Sequence, residues 1–244
     1  MSKNTIICLL VIVGFLLSST CLFSQERDST YRKQKTKELI APAVLIATGM
    51  VFINNSTKAE QKEWHTKYLS SFRTNADDYL QVTPQAAVMG LDIIGVHGKH
   101  SFVDKGGIIL LGSAIMLGTV FGLKKITKIQ RPDDSTNDSF PSGHTANAFF
   151  GATVLAEEYG DKSVWYTIGG YTVATTTGTF RMLNNRHWLS DVLIGAGIGI
   201  LSAKATYVVY PWIKQKLMKK VPTNVTVIPV YDGRTVGGSL TIGF

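Results

Sequence analysis

Residues 106–122 read GGIILLGSAIMLGTVFG, an uncharged apolar run that points to the fold class of this chain. A second run, residues 189–210, reads LSDVLIGAGIGILSAKATYVVY. A membrane-spanning helix needs about 20 predominantly apolar residues, so these runs reach or approach the length of a span. Both are rich in Gly, Ala and Ser, which let helix backbones approach closely. They predict two long helices packed tightly against their neighbours.

Shorter segments of the same kind flank the two long runs. Residues 38–52 and 85–96 precede the first run, and residues 145–157 and 164–179 lie between the two. The sequence therefore predicts an all-α fold, an antiparallel bundle of about six helices embedded in a membrane. A soluble bundle is the alternative, because residues 145–157 are too short for a span.

The stretch from residue 54 to residue 78 has a different character. It is polar, with Trp64, His65 and Tyr68 interspersed. Trp and Tyr favour the boundary between a membrane and water, so an amphipathic helix lying at that boundary is one interpretation. A surface helix of a soluble protein is the other, and the sequence does not decide between them.

Composition and charge favour a membrane or a phosphorylated ligand. Apolar residues make up 45% of the 244 and charged residues 17%, against about 25% in typical soluble domains. The net charge is +8, yet the chain carries no helix-turn-helix, zinc or RNA-binding signature, so we expect no nucleic acid partner. An excess of Lys and Arg instead suits anionic lipid headgroups or phosphate groups.

The N-terminus has the pattern of a secretory signal peptide. Lys3 is followed by an apolar core over residues 6–17 and by small residues up to Ser24. We expect cleavage after Ser24, with residues 25–37 as a polar lead-in, and an uncleaved anchor helix as the alternative. Cys8 and Cys21, the two cysteines of the chain, lie in this segment. A mature chain would then hold no disulfide and no cysteine-ligated metal, which fits a protein of the bacterial cell envelope.

The C-terminus changes from helix to strand signals. Residues 224–231 alternate and are rich in β-branched residues, Asp232-Gly233 is a turn signal, and residues 236–244 again resemble a strand. We therefore expect a β-hairpin over residues 221–244, appended to a helical domain over residues 38–215.

Three short clusters carry chemical groups between these helices. In the first, Lys124 and Arg131 are seven residues apart, on one helix face, and Pro132 ends the helix. The second, residues 139–145 (SFPSGHT), precedes an apolar helix, whose first N–H groups form a natural cradle for phosphate. Taken alone, the first cluster is better explained by a basic helix end and the second by a capping turn.

The third cluster, residues 181–191, reads RMLNNRHWLSD and contains Arg181, His187 and Asp191. His187 and Asp191 are one helical turn apart, so the carboxylate can hold one imidazole nitrogen and leave the other free. In an antiparallel bundle the first cluster ends one helix, the second begins the next, and the third joins the last two. All three clusters therefore meet at one end of the bundle and suit a tetrahedral anion.

These motifs, Lys124-x6-Arg131-Pro132, Pro141-Ser142-Gly143-His144 and Arg181-x5-His187-x3-Asp191, resemble those of the type 2 phosphatidic acid phosphatase superfamily. The one departure is Phe180, where many members have Ser. The resemblance implies that His187 attacks phosphorus, that Asp191 orients His187 and that His144 protonates the leaving group. It also implies a set of groups that bind the phosphoryl oxygens: Lys124, Arg131, Ser142, Gly143 and Arg181.

The expected activity is metal-independent hydrolysis of a lipid phosphate monoester or diphosphate, such as lipid A, undecaprenyl diphosphate or phosphatidate. We expect no cofactor and no obligate protein partner, with the site on the periplasmic side of a membrane. Asp133, Asp134 and Asp138 could suggest a metal site, but in this loop they are better explained as turn formers. The alternatives are a soluble periplasmic acid phosphatase of the same superfamily, a vanadium-dependent haloperoxidase and a lipid-binding scaffold without activity.

Overall fold

The computed structural model describes residues 38–218, 224–231 and 236–243, with side chains over residues 38–216. The expected signal peptide, the lead-in over residues 25–37 and the Asp232-Gly233 turn lie outside the described residues. Eight helices account for most of the described chain. They are α1 Ile40–Val51, α2 Asn55–Tyr68, α3 Ala76–Leu80, α4 Thr83–Ile93, α5 Phe102–Thr127, α6 Gly143–Tyr159, α7 Val164–Leu183 and α8 Leu189–Met218.

The all-α class is confirmed, but the expected count of about six helices is wrong. The polar stretch over residues 54–78 accounts for much of the difference, because it forms two helices, α2 and α3. Asn54 begins α2 by accepting a hydrogen bond from the N–H of Thr57, and the chain leaves helical geometry after Tyr68. A polar stretch has no apolar periodicity to mark such a break, so sequence reasoning treated it as one segment.

Serine side chains begin the three helices that follow loops near the bundle ends. Ser101, Ser142 and Ser163 cap α5, α6 and α7, each accepting a hydrogen bond from a backbone N–H of the first turn. At its other end α5 stops at Lys128, whose φ of 48° lies in the left-handed region. These signals set where each helix starts or ends, and therefore which residues lie at the two ends of the bundle.

Helix α6 forms the centre of the bundle, packed against α4, α5, α7 and α8, while α1 lies along α8. Glycines allow this packing. A Cβ atom on Gly199 of α8 would lie 2.2 Å from the carbonyl oxygen of Ala146 in α6, and one on Gly112 of α5 would lie 2.3 Å from the ring of Phe150. Gly112 and Gly199, two of the small residues seen in the sequence, are therefore points at which α5 and α8 approach α6 closely.

Within the part of the chain that the structure describes, two helices can cross a membrane by length and composition: Phe102–Thr127 and Leu189–Lys216. Helices α1 and α2 together would make a third, but they meet at an angle of 87°. Helix α5 also exposes large apolar side chains along its length, including Leu110, Leu117, Phe121 and Ile126. Such a continuous apolar surface is expected of a helix that faces lipid.

Two strands follow α8. β1, Asn224–Tyr231, pairs antiparallel with β2, Val236–Gly243, so that Asn224 lies opposite Gly243 and Tyr231 opposite Val236. The residues that connect the strands are outside the described part of the chain.

Candidate functional site

The three clusters meet at the end of the bundle where α5 and α7 end and α6 and α8 begin. The N–H of Ser142 donates to the carbonyl oxygen of Asp191 at 3.0 Å, which joins the second cluster to the third. The indole N–H of Trp188 donates to the carbonyl oxygen of Gln130 at 2.8 Å, which joins the third to the first. Direct contacts therefore connect residues that are about 50 to 60 positions apart in sequence, as the antiparallel arrangement predicted.

His187 and Asp191 form the buried centre of this end. His187 Nδ1 lies 3.6 Å from Asp191 Oδ2, an ion-pair distance that is longer than a hydrogen bond. The same carboxylate oxygen accepts hydrogen bonds from the Ser139 hydroxyl and from the backbone N–H of Trp188, at 3.0 Å for the latter. Nδ1 makes no hydrogen bond with any residue that the structure describes. Asp191 is thus held firmly, facing Nδ1, and the opposite ring nitrogen, Nε2, points away from it.

The surroundings of His187 keep its imidazole neutral. Burial lowers the pKa of His187 to about 4, and the nearby charges of Arg181 and Lys124 act in the same direction, while Asp191 opposes them. A neutral imidazole has a free lone pair at physiological pH, which is the form that a nucleophile requires.

Lys124 and Arg131 both reach Asp138. Lys124 donates from its ammonium group to the carbonyl oxygen of Asp138, and Arg131 Nε lies 2.9 Å from a carboxylate oxygen of the same residue. The turn-forming interpretation of the neighbouring Asp133 agrees with its hydrogen bonds to the N–H and hydroxyl of Ser135. Asp138 thus holds two of the predicted phosphate-binding cations side by side.

Arg181 is buried at the end of α7 and contacts the short helix α3. Its Nη1 donates to Asp77 Oδ2 at 2.6 Å, and the amide of Asn184 donates to the other oxygen of Asp77 at 3.1 Å. Arg181 Nε is buried and has no hydrogen-bond partner among the described residues. Asp77 therefore fixes one end of the guanidinium group, while another of its N–H groups stays available for an anion.

His144 lies in the first turn of α6 and is about a quarter exposed. Its Nε2 is 2.8 Å from Asp78 Oδ1. Burial and the charge of Arg181 lower the pKa of His144, and Asp78 and Asp77 oppose that shift. The site thus contains two histidine–aspartate pairs, one fully buried around His187 and one open to solvent around His144.

Ser142 and Gly143 begin α6 beside these histidines. The Ser142 hydroxyl is buried and lies 2.8 Å from the hydroxyl of Thr145, while its N–H is occupied by Asp191. Gly143 is in the first helical turn, where an N–H has no acceptor within the helix. The structure therefore brings all eight predicted site residues to one end of the bundle, but Ser142 is engaged within the protein.

Sequence reasoning missed three residues of this region: Gln61, Asp77 and Asp78. They lie in α2 and α3, more than 60 residues before the partners that they contact. No short motif surrounds them, so the only available signal was a pair of acidic residues next to a tyrosine. Over residues 38–216, no group of three His, Cys, Asp or Glu side chains is placed to hold a metal ion.

A buried histidine facing an aspartate, a second histidine and several cations define a candidate site for a phosphoryl group. Comparison with known proteins agrees with this class. Residues 107–215 match the family model of the PAP2 superfamily. The matched segment contains all eight predicted site residues.

One curated relative is the lipid A 1-phosphatase of Porphyromonas gingivalis, which is 41% identical over 150 residues. The alignment covers 61% of this chain and 33% of that protein, so this chain spans about a third of its relative's length. Two solved structures are also matched, both at low sequence identity. Aquifex aeolicus LpxE matches 60% of this chain and 93% of its own, with a TM-score of 0.44 and 22% identity. The match to a phosphatidylglycerolphosphate phosphatase from Bacillus subtilis covers 72% of this chain and 98% of that protein, with a TM-score of 0.47 and 19% identity.

Proposed function

We propose that this chain is a membrane phosphatase that removes phosphate from a lipid without a metal ion. The single observation that carries the proposal is the pair of His187 and Asp191. His187 is buried and neutral, it faces a carboxylate that is itself held in place, and the charges of Arg181 and Lys124 help to lower its pKa. That arrangement suits a nucleophile aimed at a bound phosphoryl group.

The first half of the reaction transfers the phosphoryl group to the enzyme. His187 Nε2 attacks phosphorus as its Nδ1–H faces Asp191, and the bond from phosphorus to the lipid oxygen breaks. Protonated His144 donates its proton to that oxygen, so the lipid leaves as an alcohol, or as a phosphate when the substrate is a diphosphate. Asp191 stabilises the positive charge that develops on the imidazole of His187.

The second half returns the enzyme to its starting state. Neutral His144 takes a proton from water, the water oxygen attacks phosphorus, and the bond from phosphorus to Nε2 breaks. Inorganic phosphate leaves and His144 is again protonated. In the free enzyme the pKa of His144 is lowered by burial and by Arg181, whereas a bound phosphate dianion adds negative charge and raises it.

The cations bind the three equatorial oxygens of the phosphoryl group. We assign this role to Lys124, Arg131 and Arg181, assisted by the N–H of Gly143 at the start of α6. Phosphoryl transfer depends chiefly on in-line positioning and on neutralising these oxygens, which fixed cations and N–H groups can do. For Ser142 we retain a contact with phosphate as a proposal, and its hydroxyl would have to turn from Thr145 to make it.

Two observations favour a lipid as the substrate. The site lies at the end of α5 and α8, two helices long and apolar enough to cross a membrane, and the end of a span is where a lipid headgroup would lie. The P. gingivalis relative, 41% identical over the aligned region, is a lipid A 1-phosphatase. We therefore rank lipid A first, ahead of undecaprenyl diphosphate and phosphatidate, with the site facing the periplasm.

Phosphate release from a substrate panel tests the proposal. The purified full-length protein in detergent is assayed on lipid A, undecaprenyl diphosphate, phosphatidate and p-nitrophenyl phosphate, each with and without EDTA. We expect release from at least one lipid, unchanged by EDTA and lost in His187→Gln. Release from p-nitrophenyl phosphate alone would favour the soluble acid phosphatase, and release that EDTA abolishes would contradict the mechanism.

A further inference from the structure

Helix α2 places three polar side chains, those of Lys58, Gln61 and His65, against the loop that carries His187, while Lys62 on the same face pairs with Asp134. Lys58, Gln61, Lys62 and His65 are spaced as i, i+3, i+4 and i+7, so they share one helix face. The Lys58 ammonium lies 5.5 Å from the centre of the Trp188 ring, and His65 Nε2 donates to the carbonyl oxygen of Leu183 at 3.0 Å. This polar face therefore lies across residues 183–189, between α7 and α8.

Gln61 makes the most specific of these contacts. Its amide nitrogen donates to the carbonyl oxygen of His187 at 3.0 Å, and its amide oxygen accepts from the N–H of Leu189 at 2.9 Å. One side chain thus bonds both peptide groups that flank Trp188. A planar amide that uses its donor and its acceptor together allows little rotation of the backbone to which it is bonded.

The backbone of His187 needs such an external support. His187 lies in a loop, and Leu189 is the first residue of α8, where an N–H has no acceptor within the helix. The Nδ1 atom of His187 forms no hydrogen bond with the described residues, so its ring is not anchored through that atom. The position of the imidazole then depends on the backbone from which it projects, and Gln61 holds that backbone from outside the catalytic motifs.

We propose that Gln61 is a positioning residue that holds His187 in line with the bound phosphoryl group. This inference rests on the proposed function and extends it to α2, which precedes the region matched by the family model. In-line attack is sensitive to small displacements, and a shift of about 1 Å can lower a rate about 100-fold. Loss of the amide should therefore lower kcat while the cations that bind phosphate stay in place.

Gln61→Glu offers a test that depends on pH. A protonated Glu side chain has one O–H and one C=O, so it can replace both hydrogen bonds of the amide. The ionised form has only acceptors and would place an anion against the carbonyl oxygen of His187. We expect the ratio of kcat in Gln61→Glu to kcat in the wild type to rise as pH falls from 8 to 5. Gln215→Glu, the same change on an exposed part of α8, should keep a ratio near one throughout.

Gln61→Leu supplies the second measurement. We expect kcat on the best substrate of the panel to fall about 10- to 100-fold, with KM close to the wild-type value and an unchanged melting temperature. The inference would be overturned by wild-type kcat in Gln61→Leu, by a ratio for Gln61→Glu that does not change with pH, or by a loss of kcat that follows the loss of folded protein. If Gln61→Leu does not fold, the pH ratio of Gln61→Glu decides. Absence of phosphate release by the wild type would contradict the proposed function instead.

Discussion

Arg181 and Asp77 form a buried ion pair, 2.6 Å between Nη1 and Oδ2, that joins the end of α7 to the short helix α3. Both side chains are nearly inaccessible to solvent, and Asn184 donates to the second oxygen of the carboxylate. Asp78, the next residue, pairs with His144. A helix of five residues therefore contacts two of the groups that we propose to handle phosphate, from a part of the chain that carries no catalytic motif.

Removal of Asp77 should destabilise the protein. Asp77→Ala leaves the buried guanidinium of Arg181 with only the more exposed Asp78, 4.0 Å away, as a counter-ion, and breaking a buried pair costs about 3–5 kcal/mol. We expect a lower melting temperature in detergent, measured by circular dichroism. The control is Asp161→Ala, which breaks the exposed pair between Lys99 and Asp161 and should cost at most about 1 kcal/mol. Equal melting temperatures for the two variants would show that the Arg181–Asp77 pair does not stabilise the fold.

Removal of the charge on Asp78 should change the pH dependence of catalysis. The carboxylate raises the pKa of His144 against burial and Arg181, so Asp78→Asn lowers that pKa further. His144 must be protonated to act as an acid. In the pH profile of kcat/KM, the fall in activity at high pH (the basic limb) should therefore occur at lower pH in Asp78→Asn. Glu63→Gln, an exposed change on α2, is the matched control and should leave the limb in place. A basic limb at the wild-type position in Asp78→Asn would exclude His144 as the acid.

In the pH profile of kcat/KM, the fall in activity at low pH (the acidic limb) should reflect protonation of His187. Burial holds the pKa of His187 at about 4, well below the ordinary value of 6.5, and only the neutral ring can attack phosphorus. Activity should therefore persist as pH falls through 6 and decline only as pH approaches 4. The measurement is initial rates at low substrate concentration, with folding followed at each pH. An acidic limb near 6.5 in folded protein would show that His187 is not desolvated in the working enzyme.

Alanine substitutions at two glycines should have opposite effects on stability, because one glycine lies at a close helix contact and the other does not. A Cβ atom on Gly199 would meet the backbone of Ala146 and Phe150 in α6, so Gly199→Ala must push α8 away and should lower both stability and activity. A Cβ atom on Gly118 of α5 would meet nothing within 4 Å, and Gly118→Ala should stabilise by about 0.5–1 kcal/mol through helix propensity. Thermal unfolding in detergent measures both changes, and equal effects would contradict the close approach of α6 and α8.

The central part of the site was predictable because its residues follow local rules. His187 and Asp191 are one helical turn apart, and the apolar runs of α5 and α8 place their clusters at neighbouring helix ends. Asp77, Asp78 and Gln61 were not predictable, since their contacts depend on how α2 and α3 dock across the bundle end. The spacing of Lys58, Gln61 and His65 marks one helix face, but a polar face normally predicts contact with solvent, and here it contacts the loop that carries His187.

The most direct test of the account is to trap the phosphorylated enzyme. The protein is mixed with lipid A that carries ³²P in its phosphate groups, quenched with alkali within seconds, and digested for mass spectrometry. The account predicts label bound to the protein that is stable to alkali and labile to acid, located on His187, and absent from His187→Gln. Asp191→Asn should form it about 10²- to 10⁴-fold more slowly, by analogy with the aspartate of a catalytic triad. Phosphate release without any labelled protein in rapid-quench samples, or label on a residue other than His187, would contradict the account.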